Sequence, residues 1–212
     1  MKDKEEFNVK ELDFFQIENS YGGNQDWLTD KMMYFGGCAA VTACESGIYY
    51  KKYQNRFKAI TGQIYPNSTQ VISKEDFIEF TNTMKPYLKP RIGGIAKLSI
   101  YVEGFQKYLR EQMIVGLSVS EFSGDYQINN AKLVIKDQII KGHPIPYLLL
   151  HHKNPNFRHL TWHWFLILGF REIGEGFQVK ISTYGKARWY VLEDLWNTGF
   201  QKKGGMILFQ DA

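Results

Sequence analysis

The sequence predicts an α+β fold, in which a mainly helical first two thirds is followed by an antiparallel sheet. Apolar residues recur at helical spacing in four stretches before residue 142. After that point, short apolar runs alternate with turns that contain glycine. Helices and strands that are segregated along a chain are typical of α+β proteins, whereas alternating elements favour a parallel sheet.

The length and composition predict one domain with one core. The chain has 212 residues, of which 44% are hydrophobic, 23% charged and 16% aromatic. This length is comfortable for one domain and short for two. We predict a single domain with an irregular N-terminal arm at 1–35, a mainly helical part at 36–142 and an antiparallel sheet at 143–212.

Capping and stop signals place the helices. Gly36 and Gly37 precede the first, Ser73 is an N-cap followed by acidic residues, and Gly142 stops the last. A Tyr-Pro-Asn-Ser stretch at 65–68 predicts a loop. The predicted helices lie at 38–54, 74–89, 103–114 and from 129 or 130 to 142. The predicted strands lie at 144–150, 164–170, 177–182, 187–192 and 204–209.

The distribution of charge excludes several partners. Net charge is +4, but the lysines are scattered and form no run that would bind a phosphate backbone, so no nucleic-acid partner is expected. No apolar run approaches the ~20 residues that a membrane span needs. The charged N-terminus lacks an apolar signal core. We expect a cytoplasmic protein without a membrane span.

Cys38 carries the first half of a candidate nucleophile site. It opens a predicted helix, where the helix dipole and free N–H groups favour a thiolate and where its own N–H could hold an oxyanion. Gly37 before it allows close approach of a substrate. The alternative is a small buried core cysteine, which is also our interpretation of Cys44. In one helix the two Cα atoms lie ~9 Å apart, beyond disulfide reach, so free thiols in a reducing compartment are expected.

His163 is the second residue of the candidate nucleophile site. It begins an apolar strand between Trp162 and Trp164, and a strand holds an imidazole rigidly enough to act as a general base. The alternative is a histidine that only caps a strand end. We expect the two tryptophans to shape the cleft and to limit water.

The remaining histidines raise the alternative of a metal site. These are His143, His151, His152 and His159. No carboxylate or cysteine lies near them at ligand spacing, and adjacent residues of a strand point to opposite faces. We therefore expect neither a metal nor a cofactor.

Four motifs together resemble papain-like cysteine peptidases. They are Tyr-Gly-Gly-Asn-Gln-Asp-Trp at 21–27, Gly-Cys-Ala-Ala at 37–40, Gly-His-Pro-Ile at 142–145 and His-Trp-Phe-Leu-Ile-Leu-Gly-Phe at 163–170. The chain is most similar to the branch of bacteriocin-leader-processing peptidases and to uncharacterised proteins of that type from Gram-positive bacteria. The resemblance implies a nucleophile helix packed on an antiparallel sheet, and a peptide or protein substrate.

The resemblance also assigns roles. It implies that Cys38 is the nucleophile, His163 the base and Gln25 the oxyanion glutamine, although Gln25 lies further upstream than is usual. Where the family has Asn or Asp to orient the histidine, this chain has Ser182 and Thr183. A hydroxyl can accept a hydrogen bond from the imidazole Nδ1–H but stabilises an imidazolium less well.

Three functions are consistent with these residues. The first is a hydrolase that uses a Cys38–His163 thiolate–imidazolium pair. The second is a catalytically impaired fold that binds a peptide or protein, and the third is a thiol acyltransferase, as in transglutaminase-like relatives. Fast alkylation of Cys38 by iodoacetamide at pH 6–7, relative to Cys44, is expected of an enzyme.

Overall fold

The computed structural model describes residues 7–54 and 71–212, and the loop predicted at 65–68 lies outside them. The described helices are α1 (Lys31–Gly36), α2 (Cys38–Gln54), α3 (Lys74–Met84), α4 (Leu98–Glu111), α5 (Ile128–Ile140) and α6 (Leu192–Trp196). The described strands are β1 (Phe7–Glu11), β2 (Gln16–Ile17), β3 (Ser20–Tyr21), β4 (Ser118–Ser123), β5 (Ile145–Leu149), β6 (His163–Ile173), β7 (Gly176–Thr183), β8 (Lys186–Val191) and β9 (Gly204–Gln210).

One antiparallel sheet forms the centre of the fold. Its strand order is β4-β9-β5-β6-β7-β8, and β1 pairs with β6 beside β5. Strands β2 and β3 form a separate small hairpin. The α+β prediction is confirmed, since helices pack against a sheet with antiparallel pairing throughout.

The sequence signals placed all of helix α2 and the start of helix α3, which ends at Met84 and not at the predicted residue 89. Helix α2 has the predicted bounds. Helix α3 begins with a capping box, in which the Ser73 side chain accepts from the Asp76 amide and the Asp76 carboxylate accepts from the Ser73 amide. Its apolar stripe, with Phe77 and Met84, is buried.

The N-terminal arm is more ordered than predicted. Strand β5 pairs with β6 only as far as Ile167, which leaves the rest of β6 free to pair, and β1 occupies that edge between Gly169 and Ile173. The sheet also takes β4 from the part predicted to be helical. Both strands are mixed in polarity, and their pairing partners rather than their own patterns make them strands.

The centre of the sheet positions both halves of the candidate site. Residues 163–170 of β6 are all buried, so both faces of this strand are covered. Helix α2 packs against β6, α3 and β5. Since α2 begins at Cys38 and β6 begins at His163, the packing brings a helix start to a strand start. Within the described residues, no helix has the length and apolarity to cross a bilayer.

Candidate active site

Cys38 and His163 line one small cavity. Its walls also include Gln25 from the N-terminal segment, Glu45 from α2 and Thr183 from the end of β7. The volume is about 10 Å³, which is about the room that one water molecule needs. The structure therefore shows a closed site, which must open before a peptide can reach the sulfur.

The Cys38 thiol is buried among backbone amides. The residue is 4% exposed, and the amides of Trp164, Ala39 and Cys38 itself donate towards the sulfur. These amides favour the thiolate, but burial has the larger effect and raises the pKa of Cys38 to about 11. In the closed site the sulfur is therefore a neutral thiol.

The His163 imidazole is also neutral. It is 6% exposed, and burial, with a smaller contribution from the charge of His159, lowers its pKa to about 4. Its Nε2 lies 2.6 Å from Thr183 Oγ1. Burial thus disfavours the charged form of both residues, Cys38 and His163, whose ion pair is expected from the sequence.

Of the two hydroxyls predicted to orient the base, Thr183 contacts it. The contact involves Nε2, not the Nδ1 expected from the sequence, and Nδ1 faces the Tyr184 hydroxyl instead. Ser182 is buried and its Oγ donates instead to the Tyr21 carbonyl at 3.5 Å. Neighbouring residues of a strand point to opposite faces, and only one of the two can face the imidazole.

Tyr184 lies against His163. Their rings are parallel within 5°, with centroids 4.6 Å apart, and Tyr184 Oη lies 3.4 Å from His163 Nδ1. Tyr184 and Gly185 both have positive φ, 49° and 71°, which gives the β7–β8 hairpin the two-residue turn that its twist favours. This conformation is strained for a tyrosine, and it keeps the ring over the imidazole.

The Gln25 side chain is turned towards α1. Its Nε2 donates to the carbonyls of Met33, at 3.1 Å, and Tyr34, at 2.8 Å. Its Oε1 is buried and has no hydrogen-bond partner among the described residues. The oxyanion role of Gln25 stays a prediction, and it requires the amide to release one of these carbonyls.

Glu45 was not predicted as a site residue. It lies on the same face of α2 as Cys38, two turns later, and is 2% exposed. Burial raises its pKa to about 8, against the hydrogen bond that it accepts from the Gly23 amide at 2.8 Å. A single charged residue in the helical stretch before Lys51 is the signal that could have identified it.

Glu45 connects α2 to the hairpin that orients the base. It holds the Gly23 amide, while the Gly23 carbonyl accepts from the Gly185 amide at 3.1 Å. A Cβ at Gly23 would lie 1.9 Å from the Phe77 ring, so only glycine fits between these elements. The two hydrogen bonds, from Glu45 to Gly23 and from Gly23 to Gly185, hold the end of β7 and so fix the position of Thr183.

The residues predicted to shape the cleft occupy three different environments. Trp164 is 1% exposed, its indole donates to the Ile95 carbonyl at 2.7 Å, and its backbone faces Cys38. Trp162 is 45% exposed and does not line the cavity. Gly37 is buried at the junction of α1 and α2, where a Cβ would lie 2.4 Å from the Met33 carbonyl oxygen.

The other histidines are dispersed. His143 Nδ1 lies 2.8 Å from Tyr50 Oη, His152 Nε2 lies 2.8 Å from the Asp194 carbonyl, and His159 Nε2 lies 3.1 Å from Tyr190 Oη. In the part of the chain that the structure describes, no three His, Cys, Asp or Glu side chains are grouped to hold a metal.

The buried thiol predicts a distinctive pH dependence. We expect alkylation of Cys38 by iodoacetamide to accelerate about tenfold per pH unit between pH 7 and 9, because the thiolate reacts and its pKa lies well above this range. Cys44 should react more slowly, since it is fully buried and burial also raises its pKa.

Peptide mapping by mass spectrometry measures both rates in one sample. The variants Cys38→Ser and Cys44→Ser are the matched controls for assignment. A Cys38 rate that is already constant between pH 5 and 7 would contradict the neutral pair and indicate a preformed thiolate.

Comparison with known proteins identifies the fold. No family model matches the chain, and no curated protein matches it. The solved structure of UfSP from C. elegans is similar, with a TM-score of 0.52 and 10% identity, over 97% of this chain and 34% of that one. This chain thus spans about a third of the length of that neighbour. The similarity confirms the papain-like fold, with the α2 helix packed on the antiparallel sheet.

Proposed function

We propose that the protein is a cysteine-dependent hydrolase that cleaves a peptide or amide bond, with Cys38 as nucleophile and His163 as general base. One observation carries the proposal: a thiol at a helix start and an imidazole bonded to Thr183 line the same cavity of a papain-like fold. Nucleophile and base in one cavity, with a third group that orients the base, are the parts that thiol catalysis needs.

The contacts of His163 support one proton path. In this proposal Thr183 Oγ1 accepts from Nε2–H, so Nδ1 is the acceptor nitrogen, and it takes the Cys38 proton once the Tyr184 hydroxyl, 3.4 Å away, has moved off. The sulfur then attacks the carbonyl carbon, and the Cys38 amide stabilises the oxyanion. The imidazolium returns the proton to the leaving amine as the C–N bond breaks. Water, deprotonated by His163, hydrolyses the thioester and restores the thiol.

Opening of the cavity activates the pair in this proposal. Burial is the main reason that the thiol pKa is high and the imidazole pKa low. Displacement of Tyr184 from the imidazole would admit substrate and water, and hydration lowers the cost of both charges. The thiolate–imidazolium pair would thus form once a bound substrate holds the site open, whereas iodoacetamide meets the neutral pair of the free protein.

The motif resemblance supports a finer placement. We propose a peptide or protein segment as substrate and kinship with bacteriocin-leader-processing peptidases of Gram-positive bacteria. A cytoplasmic location is consistent with two free cysteines, which suit a reducing compartment.

A second candidate function is a peptide-binding module. Two features favour it: the imidazole is hydrogen-bonded to a hydroxyl, and burial raises the pKa of the thiol in the closed site. A hydroxyl stabilises an imidazolium less than a carboxylate or carboxamide does, which would slow turnover while leaving the cavity intact.

A peptide library separates these functions. We expect incubation of the protein with a proteome-derived peptide library to create new peptide termini, detected by mass spectrometry. If peptides are retained on the protein but no new termini form, the binding module is correct. If the acyl fragments become joined to glycine methyl ester, added as an amine, and no free acid forms beside them, the chain is an acyltransferase. Neither cleavage nor retention would contradict both candidates.

A further inference from the structure

A second cavity lies beside the candidate active site and shares two of its walls. Its volume is about 130 Å³, roughly ten times the room that one water molecule needs. Thr183 and Tyr184 line both cavities. These are the residues that contact the His163 imidazole, so the second cavity lies on the imidazole side of the site.

Side chains on one face of the β7–β8 hairpin line most of this cavity, as the strand register shows. Arg188 is opposite Ile181, and Lys186 is opposite Thr183. Alternate residues of a strand share a face, so Lys186, Arg188 and Tyr190 extend from the same side of β8. His159, whose Nε2 lies 3.1 Å from Tyr190 Oη, forms the remaining wall.

The cavity presents two cations and no acidic side chain. Lys186 and Arg188 are exposed, and neither forms an ion pair with any residue in 7–54 or 71–212. Asp26 acts electrostatically on Tyr184 but does not line the cavity. A guanidinium beside an ammonium, with a phenol hydroxyl nearby, is suited to a carboxylate.

The direction of the reaction decides which part of a substrate reaches this cavity. His163 must protonate the leaving amine, so the segment that follows the scissile bond passes over the imidazole. That segment then meets Thr183 and Tyr184, beyond which the cations lie.

We propose that this cavity binds a carboxylate in the leaving-group segment of the peptide, carried by an acidic side chain or by the chain terminus. The proposal rests on the proposed function for its direction along the substrate. Binding itself does not require catalysis, so it can be tested separately.

Three N-acetylated peptides, of which two also have a blocked C-terminus, test the binding. They are Ac-Ala-Gly-Asp-Ala-amide, its Asn counterpart, and the Asn peptide with a free C-terminus. Affinity for the ¹⁵N-labelled Cys38→Ala variant is measured by NMR titration. We expect a carboxylate peptide to bind about five-fold more tightly than the neutral one, as for an exposed ion pair, with the difference reduced by salt.

The variants localise the effect. Lys186→Gln combined with Arg188→Gln should remove the preference, and Lys186→Glu combined with Arg188→Glu should transfer it to a Lys peptide. Lys202→Gln, at a lysine that lines a different cavity, should change nothing. Preference for the Asp peptide identifies a side chain, and preference for the free terminus identifies a chain end. Equal binding of all three peptides, or a preference that survives the double Gln variant, would overturn the proposal.

Cleavage tests the direction. In the peptide library, acidic residues or chain ends should be enriched after the scissile bond. Cleavage without such enrichment overturns the inference and keeps the hydrolase. Absence of cleavage with a carboxylate preference in the titration overturns the hydrolase and the direction, but keeps the carboxylate site.

Discussion

Replacement of Cys38 by serine should lower peptide hydrolysis by at least about a thousandfold. The serine hydroxyl has nearly the size of the thiol but is a much weaker acid, and the neutral His163 is a weak base at this site. The backbone amides around the sulfur and His163 would remain, so a small residual rate is expected.

The measurement is the rate of appearance of new termini from one defined peptide identified in the library. The matched control is Cys44→Ser, a substitution on the same helix at a thiol that does not line the cavity. Unchanged circular dichroism of the Cys38→Ser protein shows that the fold is intact. Equal loss of activity in the two variants, or none in Cys38→Ser, would exclude Cys38 as the nucleophile.

Replacement of Trp164 by alanine should lower the free energy of unfolding by about 3–5 kcal/mol. The side chain is buried, its ring stacks on Tyr101 with centroids 4.6 Å apart, and its indole satisfies the Ile95 carbonyl. The alanine variant would lose all three contributions and leave a cavity between β6 and α4.

Urea unfolding followed by far-UV circular dichroism measures this change. Trp164→Phe keeps the aromatic packing and loses the hydrogen bond, so it should cost about 1–2 kcal/mol and remain measurable if the alanine variant fails to fold. Trp162→Ala is the control, because this tryptophan is 45% exposed and should cost less than about 1 kcal/mol. Equal effects at the two tryptophans would contradict the buried role of Trp164.

The parts of the fold that have local causes could be predicted from the sequence. Helix α2 follows two glycines and keeps helical spacing to its end, and α3 has an N-cap with an acidic third residue. These signals act within one or two turns. The apolar run that follows His163 likewise predicts a strand that is buried on both faces.

The parts that depend on distant partners could not be predicted. Strand β1 exists because β5 stops short on β6, which is a property of two other strands. Likewise, the orientation of Gln25 depends on two carbonyls of α1, and the choice between Ser182 and Thr183 depends on which face of β7 meets the imidazole. Such contacts join residues that are not neighbours in any local pattern.

The pKa of Cys38 likewise has a local cause, which could be predicted, and a distant cause, which could not. A helix start predicts a lowered thiol pKa, and the amides around Cys38 do act in that direction. Burial outweighs them, and the sequence contains no local sign of how tightly the segments around the sulfur close.

Glu45 makes proton uptake a part of folding. Its pKa rises from 4.5 to about 8 on burial, so at neutral pH the unfolded chain has lost a proton that the folded chain holds. The protonated Glu45 contributes fully to the free energy of unfolding below pH 4.5, and this contribution is lost as the pH rises towards 8. Because the carboxyl group accepts from Gly23, the hairpin that orients His163 is connected to α2 through a residue that is protonated in the neutral range. Acidity of the medium thereby becomes a determinant of how firmly the base is held.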